Sequence, residues 1–423
     1  MDKLLILGIN TRVVVTSATQ LNYQTYSSSY YNTKDCNVAY KEKHALQQKP
    51  YQSCGLFEEK FNPIEILNQS SDWIEIVDYI ILTTGISPNY FNGNIKPKNN
   101  ENNLNVSELN KILKKNKKKI IGSKDTKNVE NKYKFYKKMK NRYQLPLTFK
   151  LHDVYDTLDI IKQYNKMEFI LKDVSGSGGY GINFLNIKPS PQFKDILFKL
   201  DKEYSKNKLI LQEYIHGDNL SCSLLGSKND SKAIIGNENI HNSYYQKNEN
   251  RRDFRYSGSI TPINQDKYNI SNLKEIYNLS ENMISDLNLI GSVGVDLILK
   301  DDKISIIEVN PRFQGTYECV EKVLGINLLE AHIKACDGDL IDISEPNNYF
   351  MKKIIYAPKR IKFNIGDLKN LSKNVAISDI PYENTIIEKD QPVLTLVSKN
   401  NKLYSLKRDI KKASYDINRI FNY

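Results

Sequence analysis

Residues 294–316, GVDLILKDDKISIIEVNPRFQGT, limit what this chain can become more than any other stretch. Two β-branched, apolar runs, 293–299 and 304–309, flank the charged turn 300–303, a pattern that predicts a β-hairpin. Side chains alternate along a strand, so the turn decides which residues share a face. A three-residue loop of Asp301, Asp302 and Lys303 sets Asp296 opposite Glu308 and gathers Gly294, Asp296, Glu308 and Asn310 on one face. A two-residue loop sends the carboxylates to opposite faces. Facing acids therefore predict the three-residue loop. Two acids and an amide pointing one way are hard oxygen ligands, suited to Mg²⁺ (or Mn²⁺). Pro311 ends the strand and Arg312 follows, a fixed cation able to grip a carboxylate or phosphate bidentately. A hairpin with merely solvated acids is the competing reading. Unpaired charge inside apolar strands is expensive, and that cost favours the metal.

A second motif lies upstream. Residues 168–171 (EFIL) lead into Lys172, then 173–181 (DVSGSGGYG), then 182–185 (INFL): strand, lysine, glycine loop, strand. Glycines permit positive φ and let backbone amides close on phosphate oxygens, which Lys172 can also reach. This is not a Walker loop, because the lysine precedes the glycines and no helix follows. An ordinary glycine hairpin is the bland alternative. Residues 209–215 (LILQEYI), followed by Gly217, read as a further strand. Residues 130–142 (ENKYKFYKKMKNR) have helical character, and on composition alone their lysines form a solvated face.

D-(x11)-E-V-N-P-R-x-Q-G resembles the metal-binding end of the ATP-grasp superfamily, and K-x3-G-S-G-G-x-G resembles its flap. The opening G-x-N-T-R segment and a short β-rich tail are similar to archaeal predicted ATP-dependent carboligases, carboxylate–amine ligases related to biotin carboxylase. The resemblance implies an α/β (α+β) chain. It would comprise a Rossmann-like domain over 1–125, a two-lobed ATP-grasp domain over 126–340, and a small β-rich region over 341–423 ending in a helix. It also implies ATP and Mg²⁺ as cofactors. Phosphate contacts fall to Lys132, Lys172, Ser177, Gly178 and Gly179, and the adenine hinge to Gln212, Glu213, Tyr214 and Ile215. Many relatives hold the ribose with a glutamate two residues after the glycine. Here Asp218 and Asn219 stand there instead, and Asn219 is the candidate. The metal would sit on Asp296, Glu308 and Asn310, with Asn310 and Arg312 as catalytic residues.

The implied reaction activates a small-molecule carboxylate as an acyl phosphate and passes it to an amine, with cofactor biosynthesis as one setting. Bicarbonate activation and nucleotide binding without ligation are the alternatives; the chain shows no biotinyl-carrier segment. The resemblance leaves room for a homodimer.

Composition agrees with this class. The 423 residues carry 61 Lys+Arg against 49 Asp+Glu, a net charge of +12, but the excess is diffuse and thickest in polar segments such as 111–119. No specific nucleic-acid partner is therefore expected. The five cysteines show no CxxC spacing, which predicts neither zinc nor disulfides. No apolar run reaches the ~20 residues of a membrane span, and no signal peptide precedes Leu4, so the expectation is cytoplasmic.

The chain opens with a buried strand (KLLILG), then 9–12 (INTR) and a helix to about Leu21, with a second strand over 23–29. This suggests a Rossmann-like half. Asn10, Thr11 and Arg12 at the strand's carboxyl end suit an acceptor substrate, or equally an N-cap and a surface arginine. Residues 77–84 and 119–122 read as strands, and 89–110 as a polar loop. Arg255 and Tyr256 are substrate-side candidates, although composition favours an exposed basic loop. Helices are expected over 273–289, 324–335 and 405–420, and short strands over 353–358, 386–387 and 393–397.

Overall fold

The structure, a computed structural model, describes residues 1–36, 40–96, 105–176, 178–185, 209–241, 253–368 and 374–422. β1 (Lys3–Gly8), β2 (Gln24–Tyr31), β3 (Lys41–Gln47) and β4 (Tyr79–Leu82) form a parallel sheet in the order β3-β2-β1-β4. Leu4 to Leu7 of β1 are all fully buried, as an apolar strand covered on both faces must be. The helix Arg12–Gln20 follows at once and sends Val14, Val15 and Ala18 into the core, completing the expected Rossmann-like half.

Two expectations in this region need correction. Residues 119–122 form no strand: a 3-10 turn at Lys117–Lys119 leaves only an isolated bridge, Ile80 to Ile120. The loop expected over 89–110 carries a 3-10 turn at Pro88–Asn92 and the start of a helix, Val106–Asn116. Asn105 caps that helix, accepting from the Glu108 amide, and Leu109 and Leu113 bury one turn apart. The surrounding asparagines and lysines masked that spacing; residues 97–104 lie outside the described set.

The middle of the chain builds two more sheets. β5 (Thr148–Lys150), β6 (Phe169–Asp173), β7 (Asn183–Leu185) and β8 (Leu209–Glu213) pair antiparallel in the order β5-β8-β6-β7. The larger sheet begins with β9 (Asp218–Gly226), β10 (Ser231–His241), β11 (Tyr256–Thr261), β12 (Gly291–Lys300) and β13 (Lys303–Asn310). It continues into the C-terminal region through β14 (Tyr349–Tyr356), while β15 (Ile361–Lys362) goes elsewhere. Next come β16 (Ala376–Ser378), β17 (Ile386–Ile387), which pairs with β15 and bridges to Ser53, and β18 (Pro392–Asn400). The eight-stranded order is β13-β12-β9-β10-β11-β14-β18-β16. The tail thus prolongs the sheet that carries the hairpin. The helix Leu403–Asn422 seals it, packing Leu406, Ile410 and Ile417 with Met351 and Leu394. Among the described residues no helix is long and apolar enough to cross a membrane.

The lysine-rich segment folds as two short helices, Lys127–Glu130 and Lys132–Met139. Asn131 caps the second by accepting from the Lys134 amide, which fixes Lys132 at its first position. Phe135 and Met139 turn inward beneath the hairpin's apolar face.

Candidate active site

On the hairpin, Gly294 pairs with Asn310, Val295 with Val309 and Asp296 with Glu308, so the acids face each other as expected. The loop length is a correction. Lys300 pairs with Lys303, leaving a two-residue turn of Asp301 and Asp302 with φ of +47° and +62°, the sign required by a type I′ hairpin. That turn alone would part the carboxylates. A β-bulge between Asp296 and Leu297 leaves Ile307 without a partner residue, and the extra residue returns Glu308 to Asp296. Val293, Val295, Leu297 and Val309 point the other way, into a core shared with Met283 and Ile284 of the helix Ile270–Leu287. A Cβ at Gly294 would lie 1.7 Å from the end of the Gln314 side chain, so any other residue there would require Gln314 to move.

The acids are not alone. Lys132 Nζ lies 2.9 Å from Glu308 Oε2 and donates to the Gly176 carbonyl at 2.6 Å. Asn310 Nδ2 donates to Asp296 Oδ2 at 2.9 Å. Burial, then the neighbouring Glu308 charge, raises the Asp296 carboxyl above its ordinary range. Burial pushes Glu308 the same way, but Lys132 and Lys172 outweigh it and hold Glu308 low. Lys172 is only 4 % exposed, and burial followed by Lys132 lowers its ammonium to about 7 against the pull of Glu308 and Asp296. Two crowded carboxylates beside an amide oxygen are a donor set that a divalent cation would relieve, so these residues fit Mg²⁺. Among the described residues no third carboxylate, histidine or cysteine joins them.

The glycine loop folds over this point. Gly178 and Gly179 have φ of +67° and +78°, and Gly178 accepts from the Tyr256 amide at 3.1 Å. A Cβ at Gly179 would lie 1.9 Å from the Phe254 carbonyl oxygen, so only glycine lets the loop dock there. Ser177 lies outside the described residues. In limited proteolysis the wild type should be cut within 175–180 when free and protected by Mg²⁺ with a nonhydrolysable ATP analogue, whereas Gly179→Ala should stay cleavable. Equal protection of both would mean that the loop does not close on Phe254.

Between the loop, the hinge and the hairpin lies a cavity of about 290 Å³. It is lined by Lys132, Lys172, Gly178, Gly179, Gln212, Glu213, Tyr214, Ile215 and Asn219, with Asp296, Glu308, Asn310 and Arg312 at the hairpin end. The fold brings these sequence candidates together from six separate segments. One Glu213 oxygen accepts from the Leu147 amide at 3.0 Å, which fixes the hinge against β5. Asp218 is drawn off by Lys267 at 2.7 Å, leaving exposed Asn219 at the cavity. Sequence reasoning missed Ile170, Ile298, Asn239 and His241, which also line it. Strand alternation would have found the first two, each two residues from Lys172 or Asp296. The polar pair carries no such signal.

Arg255 is not an exposed basic side chain: it is 12 % exposed, bound to Asp253 at 3.0 Å and stacked on Tyr356 at 4.8 Å. Tyr256 lines this 290 Å³ cavity and a neighbouring one of about 250 Å³. Arg12 is not a surface residue. It is buried against Asp379 at 2.7 Å, Glu318 at 3.0 Å and Asp35 at 3.4 Å. Burial alone would lower its pKa, but Asp379 and Glu318 overcome this and raise it. Thr11 is spent on Ser27, while Asn10 donates to Asp379 and lines the 250 Å³ cavity. A third cavity of about 540 Å³ is lined by Asn89 and Lys96, together with Lys132, Glu308, Asn310 and Arg312 of the site.

A parallel Rossmann-like sheet, a two-lobed cleft and a hairpin carrying facing acids define the ATP-grasp fold. Residues 129–316 are matched as an ATP-grasp domain. The chain is 28% identical over 404 residues to an uncharacterized protein of Methanocaldococcus jannaschii, covering 94% of this chain and 88% of that protein. It is 29% identical over 215 residues to the tyramine–L-glutamate ligase of the same organism, covering 47% of this chain and 64% of the ligase. Among solved structures, biotin carboxylase from Campylobacter jejuni in complex with β,γ-ATP superposes with a TM-score of 0.69 at 14% identity, over 97% of this chain and 90% of that one.

Proposed function

We propose that this chain is an ATP- and Mg²⁺-dependent ligase that activates a small-molecule carboxylate and joins it to an amine, releasing ADP and phosphate. The observation that carries the reading is the position of Arg312, which lines both the 290 Å³ cavity and the 540 Å³ cavity beside the metal face. A carboxylate held there by the guanidinium meets the γ-phosphate end of a nucleotide laid along the hinge. Its oxygen forms the new bond to phosphorus, and the bond from that phosphorus to the ADP oxygen breaks. The amine nitrogen then bonds to the acyl carbon as the carbon–oxygen bond to phosphate breaks, and one proton leaves the nitrogen. Lys132, Lys172 and Arg312 offset the negative charge that gathers in the first step. Asp296, Glu308 and Asn310 would hold Mg²⁺, which supplies further charge neutralisation on the phosphates. The docked glycine loop keeps water from the acyl phosphate. The ligase similarity over 215 residues supports an amine as the acceptor.

Incubation with ATP, Mg²⁺ and pooled cytosolic metabolites tests the reading by product analysis. ADP formation that depends on an added metabolite is the expected result. AMP in place of ADP would remove this mechanism.

A further inference from the structure

His332 is only 4 % exposed and takes no part in the chemistry above. It sits on the helix Leu328–Asp337 and touches three segments that lie far apart in sequence. The amide of Ser292, the second residue of β12, donates to Nδ1 at 2.7 Å. Nε2 lies 3.3 Å from the Ile121 carbonyl, and the Ile121 amide is bound in turn to Ile80 of β4 at 3.0 Å. The ring packs on Phe313 with 4.7 Å between centroids. Because Nδ1 accepts a bond, the ring proton belongs on Nε2, where it donates to Ile121, so the network requires one neutral tautomer. The backbone is shaped around that ring: a Cβ at Gly291 would lie 2.4 Å from it and one at Gly122 3.1 Å. The groups against it bring no charge. Ile121, Gly122, Gly291, Ser292 and Phe313 do not titrate, and the Cys336 thiol, 4.0 Å from Nε2, is pushed up to about 12 by burial. Burial also lowers the imidazole, to about 4, so it is neutral at pH 7.

Arg312 needs such support. Among the described residues its guanidinium makes no hydrogen bond or ion pair, and the through-space pull of Asp296 and Glu308 gives it no fixed direction. Its placement therefore depends on the backbone to either side. Pro311 restrains one side. On the other, Phe313 is 3 % exposed and gripped between His332 and Tyr317, whose ring it meets edge-on at 4.9 Å.

We propose that His332 is a positioning residue: by holding Phe313 it fixes the backbone from which Arg312 enters the two cavities that it lines. The assignment rests on the ligase reading, since it acts through Arg312. His332→Asn keeps an acceptor for the Ser292 amide and withdraws the ring from Phe313. It should lower kcat for metabolite-dependent ADP formation about 10- to 100-fold and leave KM for ATP within about twofold of wild type. Phe313→Leu should act in the same way from the other side of the contact, and carries the test should His332→Asn not fold. In an Arg312→Ala background His332→Asn should cost nothing more, whereas an effect on structure alone would add. In ¹⁵N-histidine spectra of the wild type, His332 should stay neutral with Nε2 protonated from pH 7 down to about 5, well below the ordinary histidine pKa of about 6.5. Wild-type kcat in a folded His332→Asn, an additive loss beside Arg312→Ala, or an imidazole that titrates near the ordinary value would each overturn the assignment and leave the ligase reading standing. A wild type that forms no ADP with any metabolite pool would remove the ligase reading and this assignment with it.

Discussion

Glu308→Gln is expected to leave the fold intact and to lower Mg²⁺-dependent ADP formation by roughly 10²- to 10³-fold, the usual scale for removing one preorganised charge-stabilising group. Glutamine keeps the size of the side chain and one acceptor oxygen but gives up the anion. Glu308 is the acid that Lys132 and Lys172 hold ionised, while burial and Glu308 itself drive Asp296 toward its neutral form. Removing the firmer anion therefore costs the cation its better ligand. It also leaves Lys132, whose Nζ lies 2.9 Å from Glu308, without its carboxylate. Circular dichroism and the thermal midpoint check the fold, and ADP release against Mg²⁺ concentration checks the site. Unchanged Mg²⁺-dependent release would end the assignment of the hairpin as a metal face.

Arg312→Ala is expected to change ATP affinity little while lowering turnover by about 10²- to 10³-fold, the pattern of an interaction made mainly in the transition state. Pro311 fixes φ between Asn310 and Arg312, and Arg312 lines two cavities together with Glu308 and Asn310. Arg312 lines the cavity on each side of the metal face, whereas the hinge residues line only the 290 Å³ one. Arg312→Lys should recover little, because a point charge does not reproduce the bidentate fork. Separate measurement of nucleotide binding and kcat tests this. Should Arg312→Ala chiefly abolish ATP binding, the arginine is a nucleotide anchor and the carboxylate binds elsewhere.

Local patterns in the chain already singled out the residues that the fold gathers around one cavity. The facing acids, the lysine before the glycine loop and the run after Leu209 each depend on residues within about 20 positions, where strand alternation and glycine conformations are local physics. Even the wrong loop length at Asp301 did no harm, since the bulge at Ile307 restored the register that the buried face demands. What the tertiary structure alone decided is everything that depends on charges distant in sequence. Arg12 read as an acceptor-side or a surface residue until Glu318 and Asp379, more than 300 positions away, closed around it. Arg255 read as part of a solvated basic loop until Tyr356 stacked on it. The tail read as a small β-rich region, and only the fold shows that its β14, β18 and β16 continue the hairpin's sheet. The 250 Å³ cavity draws its walls from the first sheet, the glycine loop and that tail. No stretch of sequence records which distant side chain will neutralise a buried charge or which rings will line a cavity, because both are settled only when separate elements pack.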